Sequence, residues 1–177
     1  MTAVRRLPAE TSKKPEYRIP VSKLSQSLKE CFFSALNFWQ AANYVADKGG
    51  LHIAVGLCIL GIEELGKFVL LSEAAANLRS GRDVLTIPIG VFRNHGTKSE
   101  KGQGLFKKWG VDLGQAGIPL TKETREQLWY VTWDDDAQEF KKDLRVLAKG
   151  AITNTEVLRE LMRLGLNKMQ AEALRAA

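Results

Sequence analysis

The chain has 177 residues, 45% of them hydrophobic and 26% charged, which suits one compact domain able to bury a core without disulfide or metal staples. A formal net charge of +6 and a pI near 9.4 permit attraction to phosphate backbones but fall short of the density of a dedicated nucleic-acid binder. No stretch reaches the roughly 18 uninterrupted apolar residues of a membrane span, since the longest, Ile53 to Ile62, ends at Glu63 and Glu64. Cys31 and Cys58 lie inside apolar runs without zinc-ligand spacing, which reads as a reducing, cytoplasmic setting.

Residues 1–20 carry Arg5, Arg6, Lys13, Lys14 and Arg18, with no secretory apolar core, and are expected to form a mobile basic arm. From Val21 to about Asp47, apolar residues recur every three or four positions, including Leu24, Leu28, Phe32, Ala35 and Trp39. This spacing predicts a long helix, entered after Pro20, capped by Ser22 or Ser25 and stopped by Gly49 and Gly50. A second helix is expected over Leu51 to Leu78, apolar nearly all round in its first half, with Gly81 as its stop.

Between Arg82 and Leu120 the pattern breaks up around Gly90, Gly96, Gly102, Gly104, Gly110, Gly114 and Gly117, which predicts short helical pieces joined by mobile loops. Helical spacing returns over Thr121 to Trp133. The triplet Asp134 to Asp136 then reads as the start of a helix ending at Gly150. A capping box, Thr153 to Glu156, opens a further helix stopped by Gly165, with a short last one from Asn167. No segment demands a sheet. The expected fold is therefore all-α, a bundle over residues 21–150 built on two long antiparallel helices with a glycine-rich insert, followed by a C-terminal helical extension over 151–177.

The second helix carries the first candidate chemistry. With Leu57 as angular origin, Glu64 falls in the apolar stripe and Glu63 off it, while Lys67 is placed to answer either carboxylate. This cluster is either a structural ion-pair lock or part of a working site. The second candidate is Arg93-Asn94-His95-Gly96-Thr97-Lys98, where cationic neighbours would keep the His95 imidazole neutral near pH 7. A neutral histidine beside lysine and arginine can act as general base on a ribose hydroxyl while the cations hold phosphate; alternatively His95 caps a helix end. Lys101, Lys107 and Lys108 extend the basic insert, and Phe92, Phe106 and Trp109 interleave it, either to stack on single-stranded nucleic acid or to anchor the loop. Trp129, Tyr130 and Trp133 form an aromatic cluster read as core packing or a dimer face.

Four blocks in this order, Ala35 to Asp47, Ala54 to Lys67, His95 to Lys98 and Arg125 to Val131, resemble the AbiV family of abortive-infection proteins over about residues 22 to 135. The resemblance implies a helical domain of the HEPN type, a class that is commonly dimeric, often cleaves RNA, needs no metal or other cofactor, and serves phage defence by arresting translation or growth. HEPN nucleases carry an arginine four to six residues before a histidine, whereas Arg93 stands two before His95. Two readings follow. In one, His95, Lys98 and Glu64 are catalytic, and Glu63, Lys67, Arg93, Asn94 and Lys101 help bind RNA in a homodimer. In the other, the protein does no catalysis and inhibits a phage-encoded or ribosomal partner by binding.

Overall fold

The computed structural model describes residues 15–117, 120–129, 131–134, 139–142 and 145–176. It is predominantly helical, with elements β1 (Glu16–Pro20), α1 (Val21–Asp47), α2 (Leu51–Ala76), β2 (Val84–Pro88), α3 (Ile89–Arg93), α4 (His95–Lys108), α5 (Lys122–Trp129), β3 (Val131–Asp134), β4 (Glu139–Lys142) and α6 (Arg145–Ala176), plus a 3-10 turn at Leu113–Ala116.

Helix α1 keeps the range that its spacing predicts, yet its entry is not closed by Ser22 or Ser25. No side chain caps it; the Val21 amide instead donates to the Asp83 carbonyl at 2.9 Å, so the lead-in to β2 serves as the cap. At its far end Gly49 takes φ +85° and the Gly50 amide returns to the Val45 carbonyl, turning the chain into α2. The two helices run antiparallel, Phe32 meeting Phe68 at 5.6 Å and Trp39 lying over Gly61.

Trp39 is the hub of the core. Its ring packs on Gly61 of α2, Gly165 of α6 and Phe106 of α4, the last at 4.6 Å between centroids. Glycine at 61 and 165 gives the indole room that a Cβ would occupy, so both are positions of close approach, and Gly165 is a packing surface and not a stop. Accordingly α6 passes through both Gly150 and Gly165 as one helix, contrary to the expected breaks. Leu161, Met162 and Met169 bury themselves in the main core, and Asn43 donates to the Met162 carbonyl, so the C-terminal segment packs on α1 as part of the bundle.

The glycine-rich insert also departs from expectation. Gly96, Gly102 and Gly104 lie inside α4, a helix of 14 residues capped by the Asn94 side chain, which accepts the Thr97 amide at 3.0 Å. A Cβ at Gly102 would collide with the Ile62 carbonyl and one at Gly66 with the Lys98 carbonyl, so α2 and α4 cross backbone to backbone through reciprocal glycines.

Two short ribbons appear where none was expected. β1 pairs antiparallel with β2, Arg18 opposite Thr86, so residues 16–20 of the expected arm are ordered, and Leu85 and Ile87 roof a second cluster with Leu71. β3 pairs with β4, placing Asp134 at a strand end and starting α6 at Arg145. Residues 135–138, including Asp135 and Asp136, lie outside the described residues, as do residues 1–14, Tyr130 and the side chains of Trp129 and Trp133.

Both cysteines are held as thiols. Burial, reinforced by the Glu64 carboxylate, pushes Cys31 up to about 11, and burial pushes Cys58 further still. At neutral pH alkylation of either is expected to be slower than that of a free cysteine by about tenfold or more. Mass spectrometry of iodoacetamide-treated native protein checks this; labelling at the free rate would put the thiols in solvent.

Candidate functional site

The α2–α4 crossing decides which acid is buried. Because α4 and α5 cover the side of α2 opposite the Leu57–Leu60 stripe, Glu63 faces inward, with its side chain 5% exposed, and Glu64 is half-buried and pairs with Lys67 at 2.6 Å. This reverses the expected orientation. A helix apolar around its circumference has no single inner face, and the stripe used as origin is the one the fold leaves partly open.

Three cationic or cationisable groups converge on the Glu63 carboxylate. Oε2 lies 2.8 Å from His95 Nδ1 and 3.8 Å from Lys98 Nζ, and Oε1 accepts from Arg125 Nη1 at 3.3 Å. His95 is the first residue of α4 and Lys98 sits one turn on, so the two share a face over α2. Arg125 comes from α5, whose entry is pinned to α4 by the Ser99 hydroxyl donating to the Leu120 carbonyl at 2.7 Å. Burial pushes the Lys98 ammonium below the usual lysine range, and the Glu63 carboxylate opposes that shift.

The Glu63 carboxylate accepts a hydrogen bond from Nδ1–H, which fixes the neutral imidazole as the Nδ1–H tautomer and leaves the Nε2 lone pair free. The His95 ring, 38% exposed, borders a cleft of about 360 Å³ that is also lined by Ser99, Glu100, Gln103, Thr121 and Glu123. Glu123 is held below the usual carboxylate range, first by its own backbone amide and then by the Thr121 hydroxyl. Chemically the arrangement is an oriented base at a cleft mouth, backed by a buried carboxylate and two buried or nearly buried cations.

Of the residues singled out in the sequence, the structure brings together Glu63, His95 and Lys98. Glu64 and Lys67 form their own pair; Arg93 is exposed at the end of α3; Asn94 is a helix cap; and Lys101 pairs with Glu73 at 2.7 Å on the surface. Phe106 is fully buried and holds Trp109 edge-on at 5.4 Å, and Phe92 packs on Tyr17, so these aromatics anchor the insert. Arg125 is the member that sequence reading missed. Its signal was its place in the fourth resembling block, 30 residues after the histidine and not before it. Among the described residues no three histidine, cysteine or acidic side chains converge as a metal site, and no helix is long and apolar enough to cross a membrane.

A mainly helical bundle of this kind, with α2 central and an acid–histidine pair on its α4 face, falls in the class of HEPN-type helical domains. The particular family is given by the chain itself: the family model described as AbiV matches residues 23–163, and the protein belongs to the AbiV family, which carries an abortive-infection, HEPN-type defence role. No curated protein and no solved structure matches the chain.

Proposed function

We propose that the protein is an abortive-infection effector that arrests translation or growth of the infected cell, working in the cytoplasm as a homodimer and cutting RNA without a metal at the Glu63–His95 centre. The observation that carries this reading is the 2.8 Å contact between Glu63 Oε2 and His95 Nδ1, which leaves Nε2 as a base at the cleft. In this chemistry Nε2 takes the proton of a ribose 2′-hydroxyl, the 2′-oxygen bonds to the adjacent phosphorus, and the bond to the 5′-oxygen breaks, that oxygen leaving with a proton from solvent. The products are a 2′,3′-cyclic phosphate and a 5′-hydroxyl end. Arg125, 12% exposed, and Lys98 supply positive potential behind the reacting phosphate.

His95→Ala is expected to fold, because the ring is half-exposed, and to lower RNA cleavage by roughly 100-fold or more. Wild type and variant would be expressed at matched levels while growth, total RNA and transfer RNA are followed, with fragment ends tested for cyclic phosphate. Undiminished fragmentation by the variant would sink the catalytic reading.

One observation favours a second reading, inhibition of a phage-encoded or ribosomal partner by binding alone. Glu100 and Glu123 line the cleft against one lysine, Lys122, so a phosphate entering it meets two carboxylates and a single cation while Lys98 and Arg125 are turned toward Glu63. Growth arrest with intact RNA in both wild type and His95→Ala would select this reading.

A further inference from the structure

At the other end of α2 from its entry, a cleft of about 700 Å³ opens between the helix exit, the turn that follows and the outer face of the β1–β2 ribbon. Arg18, Arg79 and Arg82 line it, with Asp83 as its one acidic residue. Arg18 stands opposite Thr86 in the strand register, so both belong to the same face of the ribbon. Arg79 and Arg82 are brought to one side by a turn in which the Arg82 amide returns to the Arg79 carbonyl and Gly81 takes φ +81°.

None of these three guanidinium groups has a carboxylate partner among the described residues, which is equally true of Arg93, Lys107 and Lys108, but these three gather around one cleft. Lys67, Lys98, Lys101, Lys122 and Arg125 each find one. The three side chains are exposed, so water and salt screen their mutual repulsion, but with Asp83 they leave the concavity an excess of two positive charges that favours an anion. The backbone beneath is already fixed, since the Asp83 carbonyl closes the start of α1. The forked guanidinium, with its paired N–H donors, matches two oxygens of a phosphate.

We infer that this cleft is a phosphate-binding site, separate from the Glu63–His95 centre, that holds the phosphates of a nucleotide or of a single-stranded oligonucleotide. Asn77, at its edge, lies 14 residues along α2 from Glu63, roughly 21 Å at the helical rise. One extended strand of a few nucleotides spans that distance. The site does not rest on catalysis, so its test is one of binding.

The probe is a short fluorescent 2′-O-methyl oligouridine, which has no free 2′-hydroxyl to be cut, followed by anisotropy with the full chain. Arg79→Ala/Arg82→Ala is expected to weaken binding by about tenfold and to flatten the salt dependence by roughly 0.7 per lost phosphate contact. Lys48→Ala/Lys168→Ala removes the same charge from exposed positions away from the cleft and is expected to change affinity by less than about twofold. Unchanged melting curves for both double variants establish that the fold is kept. Competition with inorganic pyrophosphate separates the two sources: displacement means that free phosphates suffice, and arginine-dependent binding without displacement means that the strand itself is held. Equal losses in the two double variants, no loss in either, or no binding of either probe would overturn the inference.

Discussion

Glu63→Ala is expected to lower stability by about 3–5 kcal/mol, because it leaves Lys98 and Arg125 facing each other in a buried site with no counter-charge. The loss also has a pH dependence whose sign is fixed by Lys98. A lysine whose folded-state pKa is lowered binds fewer protons folded than unfolded between that pKa and its ordinary value near 10.5, so stability rises with pH in that window. Glu63 holds the Lys98 pKa up. Its removal widens the window downward, and the deficit of Glu63→Ala relative to wild type should shrink as pH approaches 10.5. Urea unfolding at neutral pH and at rising pH checks both parts. A loss below about 1 kcal/mol at neutral pH with an unchanged m-value would mean that the carboxylate is not the keystone of the cluster. Glu63→Ala/Lys98→Met, which removes one stranded cation as well, should recover part of the loss.

Gly66→Ala is expected to be nearly as severe, at roughly 3 kcal/mol, the upper end of what overpacking costs. The new methyl would run into the Lys98 carbonyl, which belongs to helix backbone and cannot rotate away. Helix α4 must then lift from α2, which lengthens the Glu63–His95 contact. The variant should therefore lose any His95-dependent activity by more than its stability alone explains. Gly104→Ala is the control, since a Cβ there meets nothing and alanine favours helix. If Gly66→Ala melts like wild type, the α2–α4 crossing is looser than the geometry requires.

Much of the helical frame was legible because α1 and α2 follow rules that act locally: apolar residues every three or four positions, then glycines with left-handed freedom at the turns. The errors came from reading the glycines after Gly81 as breaks of the same kind. Gly102, Gly150 and Gly165 sit inside helices, and a glycine in a helix costs only about 1 kcal/mol, which the close approach to Ile62 or Trp39 offsets at two of them. The β1–β2 ribbon was illegible because its strands are five residues long and separated by more than 60 positions. His95 and Lys98 were readable as a pair from their spacing and both acids were placed with them, but the angular reading turned Glu64 inward where the fold turns Glu63, since only the arrival of α4 and α5 tells the faces of α2 apart. Arg125 had only its place in the fourth resembling block to mark it, because it joins the site through a contact across 62 positions that no local spacing reveals.

The β1–β2 ribbon also bears on where this protein can be cut. The family match spans residues 23–163, but the paired strand β1 lies before it and the buried Met169 after it. A fragment trimmed to those limits would strip β1 from β2, leave a bare hydrogen-bonding edge beside Leu85 and Ile87, and discard Met169 from the main core. Evolutionary likeness and mechanical integrity thus have different borders here. Expression boundaries, protease-resistant limits and fusion points should be set by the strand at one end and the last buried turn of α6 at the other.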